Sequence, residues 1–325
     1  MIQVPSTLEA FCTLSNSQWR VAIPGKHRHV SEALKTAAWY SELRLEVGGL
    51  ESDSAVERRL QRLLGDTSTA PRGAEERSRN RRRKWRSYRD GRNTPDFALV
   101  TALGKDLPRS RKVFQNAIWH AIDMRLNIEE VEQFVRGRLS PAPLLIIGAA
   151  ELLEGSISGM DLESRERLFK GDPLEVLAVH LLVARIAIED SSSNSVFSAA
   201  CWLVRSLVLV WKRLSQYEIA APLAELIDQT VLAKAPTKSG ARWTLSCLAL
   251  DEAAESLHQA ARAASTEPGR RIRMDALEFM IMHGGLGREV MVAAHGSMLV
   301  LNGQPIETAE LLRLMNAEKG LIQPA

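Results

Sequence analysis

The stretch V196-F-S-A-A-C-W-L-V-R-S-L-V-L-V-W211 decides how the chain is read. It is apolar over sixteen residues and is interrupted only by Arg205 among charged side chains. A bilayer-spanning helix needs roughly 20 such residues, so the stretch reads as a helix buried in a protein core. Together with 45% hydrophobic and 25% charged residues over 325 positions, it indicates a cytoplasmic globular protein without a membrane segment. The opening residues MIQVPSTLEAF lack the basic and apolar regions of a secretory signal. Cys12, Cys201 and Cys247 are too few and too scattered for a disulfide framework or a cysteine zinc site.

Outward from this helix the pattern stays helical. Asp172-Pro173 caps a helix carrying Leu174, Leu177, Leu181, Leu182 and Ile186, and Asp190 to Asn194 is a polar turn. Helices follow near Ile219 to Leu232, Thr244 to Ala264, Ile272 to Met282 and Ile306 to Met315. Two short apolar runs, Val290 to Ala294 and Met298 to Leu301, suggest a small C-terminal β-hairpin over 289–302, although two half-turns of helix read similarly. Upstream, Ser140-Pro141 opens an apolar helix through Leu153. Val113, Phe114, Ile118, Trp119 and Ile122 share one helical face, and Ile128, Val131, Phe134 and Val135 share the next.

Near the N-terminus, Trp19 to Ile23 suits a short strand, and His27 and His29 fall in a loop after Pro24-Gly25. Ser31 is the expected N-cap of a helix through Leu45, and Ala55 to Leu64 forms another. The expected class is mainly α, a multi-helix bundle or helical array. Four segments are expected: 1–64 mixed and helical, 65–74 a linker, 75–139 a basic helical segment, and 140–325 a helical domain.

The charge is concentrated in one place. Arg77 to Arg92 reads RSRNRRRKWRSYRDGR, nine Arg or Lys in sixteen residues with Asp90 the single acid. From Arg72 to Arg92 the net charge is +7, whereas the rest of the chain holds 32 basic and 36 acidic residues. Such an asymmetry speaks of a polyanionic partner rather than of fold. Arginine forks bind phosphate in pairs of hydrogen bonds and stay charged at any cellular pH. The expected phosphate contacts are Arg77, Arg79, Arg81, Arg82, Arg83, Lys84, Arg86, Arg89 and Arg92, with Arg109, Arg111 and Lys112 extending the footprint.

Trp85 and Tyr88, three residues apart, anchor one face of a helix that Gly91 ends. Thr94 and Pro95 then start a second helix as N-cap and first residue, with Phe97, Leu99, Val100 and Leu103 buried. The order KWRSYRDGRNTP resembles the third helix, glycine turn and proline-started fourth helix of phage-repressor-type helix-turn-helix domains, over Arg81 to Lys112. The resemblance implies that Arg82, Arg83, Arg86 and Arg89 meet groove or phosphate and that Trp85 is core. Upstream the pattern departs from that family, because a polar linker and the arginine run stand where two earlier helices would be.

Nothing points to a cofactor or metal. HGGLGRE (Gly284, Gly285, Gly287) lacks the flanks of a dinucleotide loop, and Gly155 to Gly159 is no nucleophile elbow. Glu255-x-x-His258, one turn after Asp251, has no second carboxylate–histidine set. His120 and His283 carry no specific spacing; His180 reads as a core histidine and Cys201 as a small buried hydrophobe. The leading expectation is a non-catalytic nucleic-acid-binding protein, DNA favoured over RNA, whose helical body serves a protein partner or self-association. A scaffold or adaptor subunit is the second reading, and an enzyme whose site is assembled from distant residues the third.

Overall fold

A computed structural model of the chain describes residues 20–23, 26–48, 53–65, 83–139, 172–189, 193–235, 242–265, 278, 298–301 and 304–305. The expected linker, the residues Arg77, Arg79, Arg81 and Arg82, and the helices expected near 140–153, 272–282 and 306–315 lie outside these, apart from Glu278. The protein is mainly helical. It divides into two compact units: Met1–Trp119 with Arg213–Leu223, and His120–Lys212 with Ala224–Ala325.

The first unit opens with an antiparallel pair, β1 (Arg20–Ile23) and β2 (Lys26–His29), in the register Arg20 opposite His29. His27 and His29 therefore belong to a strand, not to the expected loop. β2 runs without a break into α1 (Val30–Glu46). This moves the cap upstream of Ser31: His29 is the last extended residue, and its ring nitrogen accepts from the Ser31 N–H at 3.3 Å.

α1 is buried on almost every side, from Val30 to Leu43. Its alanines and Ser41 let neighbours approach, and Trp39, Tyr40 and Leu43 fill the space between. Packed on it are α2 (Asp53–Leu63), the short helix α3 (83–89), α4 (Phe97–Leu103) and α5 (Pro108–Gln115). Val56 and Leu60 of α2, Trp85 and Tyr88 of α3, Val100 and Leu103 of α4, and Phe114 of α5 form one cluster with Trp39 and Tyr40. Trp39 meets Tyr88 and Phe114 edge-on, with ring centroids 5.6 and 6.0 Å apart.

Two starts differ from expectation. α4 begins two residues late because Asp96, not Thr94, is its cap, accepting from the Leu99 N–H at 2.6 Å. α5 carries Pro108 in its first turn and has no side-chain cap of its own. Glu46 of α1 replaces it, accepting from the Arg109 and Ser110 N–H groups at 3.1 and 2.8 Å. The expected continuous face from Val113 to Ile122 is broken at Asn116, whose side chain accepts from the Ile118 N–H and opens α6 (Ile118–Ala121). The Val113 carbonyl is taken by the Trp119 indole at 2.7 Å.

Glu42 is 2% exposed and is held by one hydrogen bond and two ion pairs. The Tyr217 hydroxyl donates to it at 2.8 Å, and Arg109 and Arg213 lie 3.1 and 3.8 Å away. Burial first, and then the Glu42 charge, push the Tyr217 phenol upward despite Arg213, so it stays a donor. Tyr217 and Glu218 end the long helix α9 (Ser193–Gln216), with Glu218 in the left-handed region at φ 59°.

In the second unit α7 (Ile128–Arg138) begins at the Asn127 cap, and α8 (Pro173–Glu189) at Asp172, as expected. Ser193 and Asn194, expected in a turn, already belong to α9. α10 (Ala220–Thr230) leads into a 3₁₀ turn, Leu232–Lys234. α11 (Cys247–Ser265) starts later than Thr244, because β3 (Arg242–Trp243) precedes it. β3 pairs with β4 (Leu299–Leu301), and β4 with β5 (Gln304–Pro305), both antiparallel. Residues 289–297 and 302 of the expected hairpin lie outside the described residues.

His180 on α8 is 3% exposed, hydrogen-bonded to Ser206 on α9, and parallel to the Trp202 ring. Burial pushes its pKa down to about 3. The native state therefore binds fewer protons than the unfolded chain below the usual histidine value. This stabilising preference is complete above pH ~6.5 and is lost as pH falls toward 3. In urea titrations, wild type should lose up to about 1.4 kcal/mol per pH unit more in that window than a His180→Leu, Ser206→Ala double variant.

Gly91 yields a second test. Its φ is +64°, and a Cβ there would stand 2.8 Å from the Ala33 carbonyl oxygen of α1. Gly91→Ala combines backbone strain with a clash against a rigid helix. We expect a loss of about 2–4 kcal/mol in chemical denaturation, with α3 first to lose amide protection.

Candidate nucleic-acid interface

The described half of the basic stretch is α3, helical over residues 83–89. Tertiary anchors rather than intrinsic propensity decide the orientation of such a helix. Trp85 and Tyr88 are 4% and 3% exposed and meet edge-on at 5.7 Å, while Trp85 lies against Tyr40. Each buried ring is worth roughly 1.5–3 kcal/mol. The C-terminus is closed by a paired turn around Gly91: its N–H donates to the Tyr88 carbonyl at 3.0 Å, and that of Arg92 to Ser87 at 2.7 Å.

These anchors fix where the cations point. With about 100° between successive residues, inward Trp85 and Tyr88 leave Arg83 and Arg86 opposite the core and Lys84 on a flank. All three are exposed, and among the described residues none has a carboxylate partner. The Lys84 ammonium lies 5.9 Å from the Tyr88 ring centre. Burial, then the Asp96 charge, raises the Tyr88 pKa to about 12, so no phenolate competes for these cations.

The other expected residues divide. Arg89 and Arg92 flank Asp90 at 3.1 and 3.6 Å, and Asp90 is 7% exposed. Arg109 lies across Glu42 and Glu46 at 3.1 and 3.4 Å. Those three charges are answered within the unit. Arg111 is half-buried, its stem against Gly104, and Lys112 is exposed. Neither has an ion pair among the described residues.

α2 supplies cations that the sequence reading passed over. Val56 and Leu60 put one side of α2 into the cluster that holds Trp85 and Tyr88. Arg58 and Arg62 are exposed and have no partner among the described residues. Arg59 is tied to the Val47 carbonyl at 2.7 Å. The signal was available: Arg58 and Arg62 are four apart on a helix whose apolar positions are 56 and 60. Asp53 and Glu57 masked it in a count of net charge.

The histidine motifs come apart. Glu255 pairs with Lys212 at 3.2 Å, His258 with Glu278 at 2.6 Å, and Asp251 accepts from the Trp211 indole. Among the described residues no three of His, Cys, Asp and Glu converge as metal ligands. Nor is any described helix long and apolar enough to cross a membrane.

Because Arg109 serves Glu42 and Glu46, Arg109→Ala should act on stability. We expect a loss of roughly 1 kcal/mol or less in unfolding free energy, read from the shift of the urea midpoint and moderated by the side chain's exposure. Its effect on the salt dependence of any polyanion binding should be smaller than that of Arg86→Ala. No family model matches the chain, and neither a curated protein nor a solved structure was found that resembles it.

Proposed function

We propose that this protein binds nucleic acid through its phosphates, without catalysing a reaction on it. The phosphate-binding residues in this reading are Arg83, Lys84 and Arg86 on α3, joined by Arg77, Arg79, Arg81 and Arg82 before it and supplemented by Arg58, Arg62, Arg111 and Lys112. One observation carries the reading: α3 spends both of its aromatic residues on the core and leaves three cations in solvent with no carboxylate partner among the described residues. Uncompensated charge of one sign on a rigid helix is electrostatically costly to hold together and is relieved by a polyanion. Arg89, Arg92 and Arg109 are support in this reading rather than contacts. The turn after α3 and the start of α4 follow the helix-turn-helix resemblance only in outline, and DNA remains the favoured ligand in this reading.

Filter binding at several salt concentrations tests the proposal. Substituting Arg83, Lys84 and Arg86 together by Ala should weaken binding to labelled DNA by at least tenfold at moderate salt. It should also flatten the slope of log affinity against log salt by about 2–3. Wild type without measurable binding, or a triple variant with an unchanged slope, overturns the reading.

A further inference from the structure

Phe97 is a large side chain that the core does not use. The apolar pattern of α4 assigns it to the buried face, yet it is 64% exposed. The physical reason is the late start of the helix: Asp96 is the cap, so Phe97 stands on the first turn. Val100 and Leu103, with Leu99 partly buried beside them, fill the α4 side of the aromatic cluster without it.

Its position is set through Tyr88. That ring has the Lys84 ammonium 5.9 Å from its centre and lies in one cluster with Leu99, Val100 and Leu103 of α4. The flank of α3 that carries Lys84 and the helix α4 therefore pack on the same cluster, and Phe97 opens α4 two residues before Leu99. The Asn93 amide donates to the Ser87 hydroxyl at 2.9 Å, fastening the intervening turn back onto α3. A phenyl ring is thus held in solvent on a segment that is braced to the basic helix.

We propose that Phe97 is a stacking platform for an unpaired base, and that the ligand of this surface is single-stranded nucleic acid. The inference rests on the phosphate-binding reading above and adds to it the class of strand. Paired bases in a duplex are already stacked on one another and present only their edges. A single strand offers free π-faces at the spacing of its phosphates, and every base has one. Lys84 would hold the backbone while the ring takes the base.

Fluorescence anisotropy with labelled oligothymidylate, oligouridylate and a DNA duplex of equal length separates the outcomes. Phe97→Ala should weaken binding to the single strands roughly tenfold or more. It should leave the duplex within about twofold, because only base stacking is removed. Phe97→Trp should restore single-strand affinity, and Phe97→Leu, equally apolar but not flat, should not. Since the ring is exposed, unchanged thermal melts will show that each variant is folded. Equal losses on single strand and duplex, no loss on either, or rescue by Leu would overturn the stacking role. If the α3 triple variant fails to bind while Phe97→Ala binds like wild type, only the stacking role falls. If wild type binds no probe, the phosphate-binding reading falls with it. The two single-strand probes then report whether a 2′-hydroxyl is favoured.

Discussion

Burial of Trp85 and Tyr88 against α1 is the constraint on which the basic surface depends. The described residues of α3 are mostly like charges, which favours unfolding. Mutual repulsion opposes the helix, and nucleation is expensive. Two aromatic rings on one side reverse that balance, and because they are three apart they also set the rotation of the helix about its axis. The left-handed Gly91 then lets the chain turn against Ala33 at a distance no side chain would permit. Orientation of the cations is therefore a by-product of packing. Arg83 and Arg86 face water because Trp85 and Tyr88 cannot.

α1 plays the reverse part with negative charge. It brings Glu42 and Glu46 to positions 3% and 7% exposed at the side chain, where a carboxylate must be answered by donors. The fold answers with Tyr217, Arg213 and Arg109, and with the bare N-terminus of α5. Arginines of the first unit consequently fall into two populations that composition cannot separate. Those near buried acids stabilise the unit; Arg58 and Arg62 on α2 and Arg83 and Arg86 on α3 have no carboxylate partner among the described residues. A count of +7 overstates the second population, since Arg89 and Arg92 belong to Asp90.

How much of this was readable follows from the range of each interaction. The helix of Trp85 and Tyr88 and its glycine stop depend on neighbours within six residues, and the sequence pattern reports them. The mainly helical class is legible for the same reason. Caps were displaced where a different acceptor stood two residues away: Asp96 for Thr94, and His29 for Ser31. The break at Asn116 was invisible because Val113, Phe114, Ile118, Trp119 and Ile122 keep apolar spacing straight through it. Only the Trp119 indole, folding back on the Val113 carbonyl, shows why the helix stops. Pairing of Arg109 with Glu42 and Glu46 spans more than sixty residues and leaves no local trace. The exposure of Phe97 was hidden too, since a periodic pattern says which residues share a face and not where the core ends along it.

The polar groups buried in the second unit are turned inward, and thereby sharpen the contrast with α3. Arg185 is 4% exposed, yet its guanidinium donates to the carbonyls of Ala121, Asp123 and Leu126. Those carbonyls lie at the end of α6 and just beyond it, where the helix has no further N–H groups to offer. Arg205, drawn below the usual arginine value by burial, lays its guanidinium 4.4 Å from the centre of the Trp202 ring, and His180 meets Ser206. In each case a group that could bind a ligand is turned toward the protein's own backbone or rings, and specifies packing. On α3 the same kind of side chain has its stem at the surface and its head in water. The difference lies not in residue type but in whether the fold supplies an acceptor, and for Arg83, Lys84 and Arg86 the described residues supply none.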